Sequence, residues 1–313
     1  MQRAFTFPGQ GSQAVGMGRE LAAAFPAARH VFEEVDEALG QHLSRLMFEG
    51  PESELTLTAN AQPALMAVAL AVTRVLESDA KMNLARAARF VAGHSLGEYA
   101  ALAAVGSIAL GDAARLLRRR GDAMQKAVPV GEGAMAALLG LDLPAAEAAA
   151  AEAAQGEVCS AANDNAPGQV VVSGAKAAVE RAVEIAKGKG ARRAILLPVS
   201  APFHCALMAP AADVMREALA ATRIVPPAVP LVANVTAAAV SDPDAIRDLL
   251  VRQVTAMVRW RESALYMKAQ GVTTLVELGS GKVLTGLAKR IDPELSGIAV
   301  NGPADIEAFA KTL

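Results

Sequence analysis

Short apolar runs alternate along the chain with longer stretches whose apolar residues return every three or four positions. That alternation predicts a sheet with helices packed on its faces. Positions 3–7, Arg3-Ala4-Phe5-Thr6-Phe7, form a strand-like segment that runs straight into a glycine-rich loop. Positions 90–92 lead into a turn and then a helix-compatible stretch, Glu98-Tyr99-Ala100-Ala101-Leu102. Residues 229–235 and 272–278 are two further strand-like runs, each ended by small or turn-forming residues. Helix ends are punctuated as well. Asp242-Pro243 supplies a capping side chain and a proline at the first helical position, and Gly271 ends a helix that begins near Arg261. The longest apolar run, 64–72, is too short to span a bilayer and predicts a buried helix.

Between positions 128 and 198 the pattern changes. A strand-like run at 134–139 precedes an alanine-rich helix at 144–154, whose helix propensity and capping favour a packed element over low-complexity chain. Two short strands at 158–161 and 169–172 flank the polar stretch Asn163-Asp164-Asn165-Ala166-Pro167-Gly168. An amphipathic helix at 176–187, closed by Gly188, and a strand at 194–199 complete the order β-α-β-β-α-β, the ferredoxin-like split unit. The expected organisation is therefore one larger α/β subdomain from 1–127 and 199–313 with a ferredoxin-like subdomain inserted at 128–198.

Composition narrows the class. The chain of 313 residues is 53% hydrophobic, with one Trp and two Tyr, so its core is built mainly from Ala, Val and Leu. Lys and Arg total 30 against 32 Asp and Glu, a net charge of −2, and no global field favours nucleic acid or an anionic membrane. The only dense basic spot is Arg118-Arg119-Arg120, too small for a nucleic-acid face; Arg118 and Arg119 read as a solvated helix face. Two cysteines, Cys159 and Cys205, make no disulfide framework and are expected as reduced thiols. With no signal-peptide pattern, the expectation is a cytoplasmic, soluble protein.

Gly93-His94-Ser95-Leu96-Gly97 is a G-x-S-x-G set between a strand and a helix. A serine at such a turn stands exposed at the end of the sheet in a strained conformation that only small neighbours permit. The following helix aims its free amides and positive dipole end at the same spot. As a bare pattern the motif recurs by chance; the apolar run before it and the helical stretch after it favour a nucleophile. A serine nucleophile needs a base, and there are four histidines. His30 and His42 lie in polar helical stretches, and His94 beside Ser95 is expected to point away from it. His204, in the loop Ser200-Ala201-Pro202-Phe203-His204-Cys205 at the subdomain junction, is the candidate general base.

Gly93-His94-Ser95-Leu96-Gly97-Glu98-Tyr99 resembles the active-site motif of malonyl-CoA:acyl-carrier-protein transacylases and of the acyltransferase domains of fatty-acid and polyketide synthases. The resemblance extends through Phe7-Pro8-Gly9-Gln10-Gly11-Ser12-Gln13, Arg120-Gly121-Asp122-Ala123-Met124, Asn163-Asp164-Asn165-Ala166-Pro167-Gly168-Gln169, Pro202-Phe203-His204-Cys205 and Glu277-Leu278-Gly279-Ser280-Gly281. It implies an α/β-hydrolase-like subdomain with a ferredoxin-like insertion. It also implies Ser95 as nucleophile, His204 as base, and the backbone amides of Gln10 and Leu96 as the oxyanion hole. Arg120 would bind the malonyl carboxylate, Phe203 would narrow the space beside the α-carbon, and the backbone carbonyl of Gln253 would orient the histidine. The last role matters because no Asp or Glu stands out as a third triad member.

The implied reaction moves a malonyl group from malonyl-CoA to the phosphopantetheine thiol of holo-acyl carrier protein through a malonyl-serine ester. It calls for no metal and no cofactor, and the expected assembly is a monomer. A same-family acyltransferase serving a polyketide synthase or malonate decarboxylase remains open, as does a serine thioester hydrolase. Gly9-x-Gly11-x-x-Ala14 imitates a dinucleotide fingerprint, but Pro8 stands directly before it. Gly279-Ser280-Gly281-Lys282 imitates the end of a phosphate-binding loop but has Val276 where the first glycine is required.

Overall fold

Strands buried on both faces read as unbroken apolar runs, because neither face alternates with water. In the computed structural model, which describes residues 2–313, this is the character of the central strands. The strands among the described residues are β1 (Arg3–Phe7), β2 (Phe90–Gly93), β3 (Gly133–Leu139), β4 (Cys159–Ala166), β5 (Gln169–Ala175), β6 (Arg193–Leu196), β7 (Leu231–Ala233), β8 (Ala238–Val240), β9 (Thr274–Leu278) and β10 (Ser296–Val300). One sheet has the order β10-β9-β1-β2-β7-β8; its neighbours run parallel from β10 to β7, and β8 returns antiparallel. β1 and β2 sit side by side with Thr6 opposite Ala92 and Phe7 opposite Gly93. The loops leaving their carboxyl ends, one carrying Gln10 and the other Ser95, therefore emerge together, at the end of a parallel sheet where ligands bind.

The second sheet is antiparallel, in the order β4-β5-β3-β6, and helices Leu143–Ala154 and Lys176–Gly188 pack on it. The sequence order β-α-β-β-α-β is the ferredoxin-like one expected. Its helices and sheet close over their own apolar cluster, with Ala146, Ala149 and Ala153 against Val170, Val172 and Val179. Alanine on the buried helix face lets the helix axis approach the sheet closely, which explains the alanine-rich composition.

The stretch 163–168 differs from expectation. Rather than ending before this polar stretch, as the expected strand at 158–161 does, β4 continues through Ala166 and the reversal occurs at Pro167-Gly168. Register shifts at Ala161/Asn163 and Asp164/Ala166 re-aim the polar side chains. Asp164 is buried and pairs with Arg261 at 2.8 Å, while its amide donates to the Val258 carbonyl at 3.0 Å. This polar strand is thus stitched to the loop before helix Trp260–Ala269, which starts one residue earlier than expected.

Helix Thr58–Ser78 contains the 64–72 run and the internal Pro63. By length and composition it could cross a bilayer, yet 89% of its apolar stretch is buried inside the fold. It packs in the main core with Phe5, Phe7 and Val91, and its first turn brings Thr58 and Gln62 toward the carboxyl end of the sheet.

Candidate active site

The turn from β2 into helix Gly97–Ala104 is tight enough to exclude any side chain at its glycines. A Cβ on Gly93 would lie 1.8 Å from the backbone of Gly97, and one on Gly97 would lie 2.2 Å from the Phe7 carbonyl oxygen. Ser95 at the apex has φ +54°, in the left-handed region that costs a non-glycine residue about 1–3 kcal/mol. The turn is held by Asn234, which follows β7. Its Oδ1 accepts from the Ser95 amide at 2.8 Å and its Nδ2 donates to the Gly93 carbonyl at 2.7 Å.

Ser95 Oγ lies 2.7 Å from His204 Nε2. His204 is buried and, like Ser95, left-handed, with φ +58°. Its Nδ1 donates to the carbonyls of Gln253 at 2.9 Å and Ala256 at 3.1 Å. Two acceptors on Nδ1 fix the tautomer that leaves the Nε2 lone pair facing the serine hydroxyl. No carboxylate touches the ring among the described residues.

Burial, followed by the nearby Arg120 cation, pushes His204 down to about 3. A depressed pKa means the proton is already off above that value, so the base form persists well below the ordinary imidazole range. The expected result is a kcat that stays level from about pH 8 down to about pH 5 before falling. An acid limb centred at the ordinary 6.5 in a pH–rate profile would contradict it.

Arg120, from helix Leu110–Ala127, is 1% exposed. Its Nη2 donates to Ser95 Oγ at 3.1 Å and to Gln253 Oε1 at 2.8 Å, and its Nη1 donates to Gln62 Oε1 at 2.8 Å. Its Nε has no partner among the described residues. The Gln253 side chain also donates through Nε2 to the Ser95 carbonyl at 2.8 Å and to Glu98 Oε2. Glu98 is 1% exposed, accepts from the Asn234 amide at 2.7 Å, and is pushed up to about 7, chiefly by burial.

The amides of Gln10 and Leu96 donate to no acceptor among the described residues. Leu96 caps the helix that follows the nucleophile, and Gly9 lies against His94 so closely that a Cβ would approach its carbonyl to 2.9 Å. Two free donors thus stand on the loops that meet at Ser95. Phe203, half-buried beside the histidine, packs with Met135 and Val171 of the small sheet. A half-buried serine paired with a buried imidazole beside free amides is equipped for acyl transfer through a covalent ester.

Residues 4–300 match the model of the acyl transferase domain family. The chain belongs to that family. Similar acyl transferases include the malonyl CoA-acyl carrier protein transacylase of Escherichia coli K12, 50% identical over 98% of both chains. The acyl-carrier-protein-S-malonyltransferase of Bartonella henselae superposes with a TM-score of 0.97 at 57% identity, covering 100% of this chain and 99% of that one. A malonyl-transacylase solved in complex with a type II PKS acyl-carrier protein matches with a TM-score of 0.96 at 45% identity, over the whole of both chains.

The site brings Ser95, His204, Arg120 and Gln253 into direct contact; Leu96 and Phe203 adjoin Ser95 and His204 in the chain, and Gly9, next to Gln10, packs against His94. His94 does turn from Ser95: its Nε2 meets Asn165 Oδ1 at 2.9 Å and its ring lies 5.9 Å from that of Trp260. Arg119 is exposed as expected, but Arg118 is half-buried and donates to Asn60 at 2.7 Å and Gln41 at 2.6 Å, so it is a packing residue rather than a freely solvated one. Sequence reasoning missed Gln62, Glu98, Asn234, the Ala256 carbonyl and the side chain of Gln253. The one signal available was Glu98, a charged residue on an otherwise apolar helix of Ala, Leu and Tyr.

Proposed function

We propose that this acyl transferase moves a malonyl group from malonyl-CoA to the phosphopantetheine thiol of holo-acyl carrier protein and so supplies fatty-acid elongation. The observation that carries the reading is the Arg120 guanidinium 3.1 Å from the same hydroxyl that His204 activates. A buried cation beside the acyl-accepting oxygen suits an acyl group that carries its own carboxylate. The relatives' names and the carrier-protein complex of a 45% identical structure point to the same donor and acceptor.

In this reading, the Ser95 proton passes to His204 Nε2 as Oγ attacks the thioester carbonyl. The amides of Gln10 and Leu96 stabilise the oxyanion, by about 3 kcal/mol for each donor. Collapse breaks the C–S bond, and the CoA thiolate takes the proton from the imidazolium. The pantetheine thiol then gives its proton to His204 and attacks the ester, and Ser95 leaves as the hydroxyl. The backbone carbonyls of Gln253 and Ala256 steady the imidazolium through Nδ1–H in place of a carboxylate. Phe203 bounds the space beside the α-carbon. We assign the inserted subdomain to 128–198 and the enzyme to the cytoplasm, where its two free thiols stay reduced.

A polyketide carrier is the second reading for the acceptor, since the complexed relative binds a type II PKS acyl-carrier protein. The transferase reading is tested by partitioning. Malonyl-enzyme mixed with holo-acyl carrier protein should discharge to the thiol at least about 100-fold faster than to water, a preference that expresses transition-state discrimination. Equal discharge to water would make the protein a thioester hydrolase.

A further inference from the structure

An arginine buried to 1% exposure must be aimed as well as paired, and besides Ser95 Oγ its acceptors in this site are two side-chain amides, Gln62 Oε1 and Gln253 Oε1. An amide has two similar ends. If Gln253 turned over, an NH2 group would face the guanidinium, donor against donor. What prevents this lies on the far side of Gln253. Its Nε2 is claimed by two acceptors, the Ser95 carbonyl and Glu98 Oε2, so its oxygen must point at Arg120. The Ser95 carbonyl is a single neutral acceptor; above about pH 7, where it is ionised, Glu98 supplies the charged one. Glu98 is itself fixed, because its second oxygen accepts the Asn234 amide at 2.7 Å.

We infer that Glu98 is a positioning residue for acyl selection: its buried carboxylate locks the Gln253 amide and thereby aims the Arg120 guanidinium at the acyl site. Its side chain makes no hydrogen bond to Ser95 Oγ or His204; it reaches Arg120 through Gln253, while its other oxygen holds the Asn234 amide. It also places a negative charge near Arg120 while no acyl carboxylate is bound, which lessens the cost of holding that cation out of water. Replacing the carboxylate by an amide breaks the chain of contacts. Gln at 98 has one oxygen for two donors, the Asn234 amide and Gln253 Nε2, so one of them must face an NH2 group or turn away. Asp at 98 keeps the charge on a shorter stem and holds part of the arrangement.

The inference rests on the reading of Arg120 as the malonyl carboxylate's partner, and one set of measurements separates the two. Wild type, Glu98→Gln and Glu98→Asp are compared at about pH 8, above the Glu98 value of about 7, by the rate of Ser95 acylation with malonyl-CoA and with acetyl-CoA, followed by intact mass. Glu98→Gln should raise KM for malonyl-CoA at least about tenfold and lower the malonyl-over-acetyl preference by a similar factor. Acetyl transfer, which shares the elbow but not the carboxylate contact, should fall by a clearly smaller factor than malonyl transfer. Glu98→Asp should recover most of the preference, and if Glu98→Gln fails to fold, a partial loss of preference in Glu98→Asp carries the test. Equal losses for both acyl groups would show general damage to the elbow and overturn the inference, as would an unchanged preference. If wild type shows no malonyl preference at all, the reading of Arg120 fails instead.

Discussion

Ser95→Ala should abolish the acyl-enzyme and lower kcat/KM for malonyl transfer by about 10⁴-fold or more, the scale seen when a nucleophile that acts as a unit with its base is removed. The expectation follows from geometry. Among the described residues the hydroxyl that meets His204 Nε2 is Ser95 Oγ, at 2.7 Å, and the imidazole tautomer is set by two backbone carbonyls. The variant should keep its fold, because the features that build the turn are Gly93, Gly97 and Asn234 rather than the serine side chain. Relief of the left-handed strain is not expected either, since alanine at φ +54° is strained as serine is. Rates measured alongside a thermal melt separate loss of chemistry from loss of structure. A variant that retained more than about 1% of the activity would place the ester on another residue.

Arg120→Ala should be the next most damaging change, and its effect should be selective. Removing one partner of a buried, hydrogen-bonded charge pair costs roughly 2–5 kcal/mol, or about 30-fold to several thousand-fold in kcat/KM. That loss should fall on malonyl-CoA, whose carboxylate would enter a pocket with no cation, while acetyl-CoA should gain relative to it. Arg120→Lys should recover little, because a point charge does not reproduce a fork that reaches Ser95 Oγ, Gln253 and Gln62 at once. The check is the ratio of the two acylation rates in each variant. A ratio that does not change would assign Arg120 to packing against Tyr99, whose ring centroid lies 5.8 Å from the guanidinium carbon.

Legibility in the sequence tracks how local each feature is. The β1 and β2 strands and the β-α-β-β-α-β order were readable because apolar runs and glycine punctuation act over a few residues. The polar stretch 163–168 falls outside the expected strands for the same reason. Asn-Asp-Asn is a poor strand by propensity, and what makes it one is Arg261, 97 residues later, which neutralises Asp164. Ser95 declared itself through its turn, and His204 through the scarcity of histidines. Arg120, Gln10 and Gln253 became visible only through resemblance. Gln62 and Gln253 reach Arg120 across 58 and 133 residues, and Asn234 reaches Ser95 across 139. Polar side chains drawn together from such distances leave no periodicity to read, and only their burial in the folded chain reveals them.

The central claim is a malonyl ester on Ser95 that passes to a carrier thiol. Intact mass spectrometry after mixing the protein with malonyl-CoA tests it most directly, in wild type and in Ser95→Ala, before and after addition of holo-acyl carrier protein. The predicted result is one malonyl adduct on wild type, none on the variant, and transfer of the adduct to the carrier on its addition. An adduct that persists in Ser95→Ala, or one that leaves wild type without appearing on the carrier, would contradict it.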